Sequence, residues 1–106
     1  MIAYITELTD SNFSDFTKSG VVLVDIKAEW CSPCKQLSPI IDDISTEFLG
    51  KISVGKLDAD ECPDIIAELG IRSIPTLLLY KDGEIIERKT GLIAKQKLSE
   101  MIENHL

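Results

Sequence analysis

The segment Val21-Val22-Leu23-Val24-Asp25-Ile26 leads through Lys27-Ala28-Glu29 into Trp30-Cys31-Ser32-Pro33-Cys34. The first part is apolar without alternation, which is the pattern of a central strand covered on both faces, as in a parallel sheet. The second part opens a long helix, because Leu37, Ile40, Ile41, Ile44 and Phe48 recur at helical spacing. A cysteine pair therefore falls at a strand-to-helix junction. Pro39 lies inside the helical pattern and predicts a kink, and Gly50 ends the helix.

Upstream, residues 2–8 read as a short first strand. Thr9 or Asp10 can cap a helix carrying Phe13 and Phe16, and Gly20 stops it. Downstream, residues 51–58 read as a third strand. Pro63 opens a short helix with Ile65, Ile66 and Leu69 facing the core. Residues 76–81 and 84–90 are two strands joined across Asp82-Gly83, a strong hairpin signal. Leu98, Met101 and Ile102 mark a last helix. The order β-α-β-α-β-α-β-β-α predicts an α/β fold, with a mixed five-stranded sheet between helices on both faces. Right-handed crossovers leave few topologies.

The 106 residues amount to one domain, 1–106, and 44% hydrophobic content suits a globular core. No linker, repeat or low-complexity stretch divides the chain. The net charge of −7, from 18 acidic and 11 basic residues, argues against nucleic-acid binding. The N-terminus lacks the basic start and apolar run of a signal peptide. The longest apolar runs, Val21–Val24 and Ile74–Tyr80, are too short to span a membrane. The expectation is a soluble, monomeric, cytoplasmic protein with no nucleic-acid or membrane partner. In a reducing compartment a close cysteine pair is catalytic or metal-binding rather than structural.

Placement gives the pair its chemistry. At a helix start, free N–H groups and the positive end of the helix dipole favour thiolate over thiol at Cys31. Thiolate is the attacking species. Cys34 lies three residues before Leu37, on the inward stripe, whereas Cys31 precedes the helix and is expected to be exposed. An exposed Cys31 can form a mixed disulfide with a substrate, which a shielded Cys34 then resolves. Pro33 stiffens the loop. The competing reading is a zinc site from Cys31, Cys34, Cys62 and His105. It lacks a second paired knuckle of usual spacing.

Trp30-Cys31-Ser32-Pro33-Cys34-Lys35, preceded by Val24-Asp25-Ile26-Lys27-Ala28-Glu29, resembles the thioredoxin family. So do Gly70-Ile71-Arg72-Ser73-Ile74-Pro75-Thr76-Leu77 and Tyr80-Lys81-Asp82-Gly83-Glu84. The resemblance covers essentially the whole chain. It implies the thioredoxin fold, a three-layer α/β/α sandwich with four helices around the sheet. It also implies protein-disulfide reduction through a redox-active Cys31–Cys34 disulfide, with no bound cofactor and no metal. Cys31 would be the nucleophile and Cys34 the resolving thiol. Asp25 would be a buried acid relaying a proton, and Lys56 its partner. An Asp inside an apolar strand fits burial, which raises a carboxyl pKa. The resemblance further implies a cis peptide before Pro75, which the local reading makes a strand-start proline. The substrate-binding rim would comprise Trp30, Ser32, Pro33, Ile74, Pro75 and Gly91. Implied partners are a thioredoxin reductase and disulfide substrates such as ribonucleotide reductase, peroxiredoxin or methionine sulfoxide reductase.

Three positions depart from the family pattern. Ser32 stands where glycine is usual, and Lys27 where an aromatic residue is common. Lys27 is either a snorkelling surface lysine or a positive charge near the site. Cys62 reads as a half-buried packing thiol. Other functional readings are a disulfide oxidase or isomerase, a glutaredoxin, a scaffold using the same groove, and a metal module.

Overall fold

Val22, Leu23, Val24 and Ile26 are all essentially inaccessible to solvent. The unbroken apolar run is what a strand needs when both its faces are covered. The computed structural model describes residues 4–106. Its elements are β1 (Ile5–Leu8), α1 (Phe13–Thr17), β2 (Val21–Lys27), α2 (Ser32–Glu47) and β3 (Ser53–Asp58). Then follow α3 (Pro63–Leu69), β4 (Thr76–Lys81), β5 (Glu84–Thr90) and α4 (Lys95–Glu103). The strand order is β1-β3-β2-β4-β5, with β1, β3 and β2 parallel and β4 and β5 antiparallel. This is a thioredoxin fold with a mixed sheet.

The odd and even positions of β2 feed two separate cores. Leu23 faces Leu37, Ile41, Ile44 and Phe48 of α2, and Leu98, Met101 and Ile102 of α4. Val22, Val24 and Ile26 face Phe13 and Phe16 of α1, and Ile65, Ile66 and Leu69 of α3. The sheet is thus a middle layer. Period-2 alternation also puts Asp25 on the same face as Leu23, beneath α2.

The β4–β5 hairpin turns at Asp82 and Gly83, whose φ angles of 51° and 88° are both left-handed. That is the backbone a two-residue hairpin with native twist requires. Asp82 also accepts a hydrogen bond from the Gly20 N–H at 2.9 Å, tying the hairpin to the start of β2.

Some boundaries differ from the sequence expectation. Neither Thr9 nor Asp10 caps α1, which begins at Phe13 with Asn12 at its N-cap. Thr9 and Asn12 close a turn instead. The Thr9 N–H donates to Asn12 Oδ1 at 2.7 Å, and the Asn12 N–H to Thr9 Oγ1 at 3.3 Å. Short polar side chains here satisfy backbone groups outside a helix and delay its start. The third strand begins at Ser53 rather than at residue 51, and the first is described from Ile5. Residues 2 and 3 lie outside the described residues. Helix α2 continues through Pro39 as one element.

Candidate functional site

Cys31 and Cys34 are joined by a disulfide, with their Cα atoms 5.3 Å apart. Cys31 is the N-cap of α2 in extended conformation, and its Sγ accepts the Cys34 N–H at 3.2 Å. Pro33 occupies the first turn, where its missing N–H costs nothing. A sulfur accepting one of the otherwise unpaired N–H groups, at the positive end of a 16-residue helix, is in a setting that favours negative charge.

Cys31 is not the exposed member of the pair. It is 3% exposed and Cys34 is 5% exposed. Ala28 is buried together with the two cysteines, and Ile74 packs against this small cluster. What separates the cysteines is their place on the helix. The residues around Cys31 supply an accessible rim: Ser32 and Pro33 are exposed, and Trp30 is 69% exposed. The Trp30 indole N–H donates to Asp60 Oδ2 at 2.9 Å, which holds the ring at the site.

The loop before β4 closes the other side. The Ile74–Pro75 peptide is cis. The Ile74 carbonyl oxygen lies 3.8 Å from Cys31 Sγ. Gly91, with φ 82°, donates its N–H to the Pro75 carbonyl at 2.9 Å. Ile74 is thereby brought against the cysteine pair although it is far from it in sequence, and Gly91 is tied to the adjoining Pro75.

Beneath α2 lies a cavity of about 170 Å³ lined by Asp25, Cys34, Ser38, Lys27 and Lys56, among others. Asp25 is 2% exposed, and its Oδ1 has no hydrogen-bond partner among the described residues. Burial raises its pKa to about 6, against the opposing pull of Lys56 and then Lys27. A carboxyl that titrates near neutrality and shares a cavity with a cysteine can take up or return that cysteine's proton. The cavity is roomy enough for a bridging water. Lys56 pairs with Asp25 in strand register. Its ammonium, however, donates to Ser38 Oγ at 2.9 Å and lies 3.6 Å from Asp42 Oδ1. It acts on Asp25 through its charge, with its hydrogen bonding committed to α2.

The family profile for Thioredoxin matches residues 4–104. The chain belongs to the thioredoxin family. Thioredoxin of Staphylococcus saprophyticus is 45% identical over 102 residues, covering 96% of this chain and 98% of its own length. The thioredoxins of Staphylococcus haemolyticus and Staphylococcus aureus are 42% and 39% identical over the same coverage. A thioredoxin-family protein with a bonded cysteine pair at a helix start is a thiol–disulfide oxidoreductase, and its redox group is that disulfide.

The other sequence candidates lie elsewhere. Cys62 is fully rather than half buried, at the start of α3 on the opposite face of the sheet. Burial, and then Asp10, push its thiol pKa up, so it is poorly reactive. His105 Nε2 lies 3.0 Å from Glu87 Oε2. Among the described residues, no three His, Cys, Asp or Glu side chains are grouped as metal ligands. No helix among the described residues is long and apolar enough to cross a membrane. Reading the sequence did not single out Ser38, Asp42 or Asp60. A signal for the first two was present: Cys34, Ser38 and Asp42 are spaced four apart and so share one side of α2.

Proposed function

We propose that this protein is a general protein-disulfide reductase of the cytoplasm. Its dithiol would be restored by an NADPH-dependent thioredoxin reductase. Its substrates would be protein disulfides, such as those of ribonucleotide reductase, peroxiredoxin or methionine sulfoxide reductase, and it would help maintain cell redox homeostasis. The supporting observation is Cys31 Sγ accepting the Cys34 N–H at the start of α2.

In the dithiol state, the Cys31 thiolate attacks one sulfur of the substrate disulfide. A Cys31–substrate bond forms, the substrate S–S bond breaks, and the departing thiolate takes a proton from water. Cys34 then yields its proton to the Asp25 carboxylate and attacks Cys31 Sγ. The mixed disulfide breaks, the second substrate sulfur leaves as a thiolate that takes a proton from water, and Cys31 and Cys34 are left bonded. Two electrons pass to the substrate. The backbone of Ile74, beside the cis Pro75, suits pairing with an extended substrate segment. Trp30 and Gly91 flank it.

The test is turnover of a protein disulfide with dithiothreitol, and separately with NADPH and a thioredoxin reductase. Cys31→Ser should abolish both, and activity surviving that change would remove the reading. A reductase should also have a couple near about −270 mV, a value characteristic of thioredoxin itself and not worked out from this structure. A potential between about −180 and −120 mV would point to oxidation or isomerisation instead.

A further inference from the structure

β2 and β3 carry a square of alternating charge on the face that looks toward α2. In parallel register Asp25 pairs with Lys56, and Lys27 pairs with Asp58. Residues two apart on a strand share a face, so these four side chains stand together on the cavity side. Lys27 and Lys56 both line the cavity that holds Asp25 and Cys34. They also both line a neighbouring hollow of about 330 Å³ with Glu7, Asp42 and Asp58. Lys27 and Lys56 are thus common to the space that holds Asp25 and the one that holds the outer carboxylates.

Lys27 is not free in solvent. Its side chain is only 26% exposed, and its Nζ lies 3.7 Å from Asp58 Oδ2 and 3.4 Å from Glu29 Oε2. Asp25, by contrast, has an oxygen without a hydrogen-bond partner among the described residues. Its charged state is balanced by neighbouring charge rather than by donated hydrogen bonds.

We propose that Lys27 is a positioning residue for the disulfide exchange: with Lys56 it brackets Asp25 and holds that carboxyl in the ionised form that accepts the Cys34 proton. This rests on Asp25 being the proton acceptor. The groups sharing the cavity with Asp25 are Lys27 on β2, Lys56 on β3, and Cys34 and Lys35 on α2, while Asp58 on β3 and Asp42 on α2 line the neighbouring hollow. Glu29 lies on the connecting loop and Glu7 beyond on β1. Of these, Lys56 and Lys27 lower the Asp25 pKa, and Asp42 raises it. A substitution that removes the charge of Lys27 and keeps most of its length therefore moves Asp25 toward the protonated form at neutral pH.

The experiment compares wild type, Lys27→Gln and Lys27→Arg. The first readout is the Asp25 side-chain carboxyl titration, followed by carbon NMR in the oxidised protein with labelled aspartate. The second is the pH profile of mixed-disulfide resolution in the reduced protein. Lys27→Gln should shift both midpoints alkaline by roughly half a pH unit, the scale of a partly screened ion pair. Lys27→Arg should leave both near wild type. An unmoved NMR midpoint in folded Lys27→Gln, or the same shift in Lys27→Arg, would overturn the proposal. The Asp25→Asn background separates the two readings. If Asp25→Asn alone leaves the resolution profile unchanged, the reading of Asp25 as proton acceptor fails, whereas the NMR titration still reports the Lys27–Asp25 coupling.

Discussion

Asp25→Asn is expected to gain stability relative to the wild-type oxidised protein as pH rises from acid to alkaline. Asp25 ionises near its ordinary 3.8 in the unfolded chain but at about 6 in the folded one. Between those values the folded state holds a proton that the unfolded state has released. Stability therefore falls as pH rises through that window. A difference of about two units, at about 1.4 kcal/mol each, makes the buried carboxylate cost about 3 kcal/mol once both states are ionised. That is a substantial fraction of the roughly 5–15 kcal/mol available to a domain. Asparagine cannot ionise, so its own burial adds an offset that does not vary with pH. The readout is then the slope. Urea unfolding of both proteins, disulfide intact, at about pH 4 and about pH 8 should show the advantage of Asp25→Asn growing by about 2.5 kcal/mol, because part of the full effect is already present at pH 4, with unchanged m values. A pH-independent difference would mean that Asp25 does not titrate with a raised pKa, and the reasoning from its burial would fail.

Leu37→Ala should cost about 2–5 kcal/mol in denaturant unfolding, because Leu37 is fully buried in the core under α2. Gly55→Ala should cost about 1–3 kcal/mol. A Cβ there would sit 2.8 Å from Leu8 Cδ1 and 2.9 Å from Phe16 Cε2. Both are packed side chains of the α1 face, so they must shift together. Trp30→Ala should change stability by about 1 kcal/mol or less, since the ring is mostly exposed. It should raise KM for a protein disulfide and leave the rate with a small aromatic disulfide nearly unchanged.

The fold was legible where one residue pattern admitted one structure. β2 could be read because six consecutive residues leave no face for solvent, and the hairpin because Asp82-Gly83 supplies two left-handed positions. The α1 cap was not legible. Thr9, Asp10, Ser11 and Asn12 are all competent caps, and the choice among them is made by the turn that Thr9 and Asn12 close. The exposure of Cys31 was misread for a related reason. Local position puts it outside the helix, but the residue that packs against it, Ile74, arrives from a loop 43 positions away.

The charged residues of the site show the same limit more sharply. Asp25 could be singled out because a carboxylate in an apolar strand violates the strand's own pattern. Lys27 and Lys56 violate nothing: Lys27 ends the apolar run of β2, Lys56 sits in a strand of mixed character, and each reads alone as an ordinary surface lysine. Their meaning depends on register. Slipping β3 by one residue against β2 would turn Lys56 to the opposite face and break the charge square. The observed register pairs Asp25 with Lys56 and Lys27 with Asp58, and it is fixed by the apolar residues around them. Val54 and Leu57 must enter opposite cores, and they set the position of Lys56 between them. The electrostatics of the proton-handling residue are therefore set by hydrophobic burial along β3. Substitutions that loosen that burial should disturb the titration of Asp25 without touching any charged group.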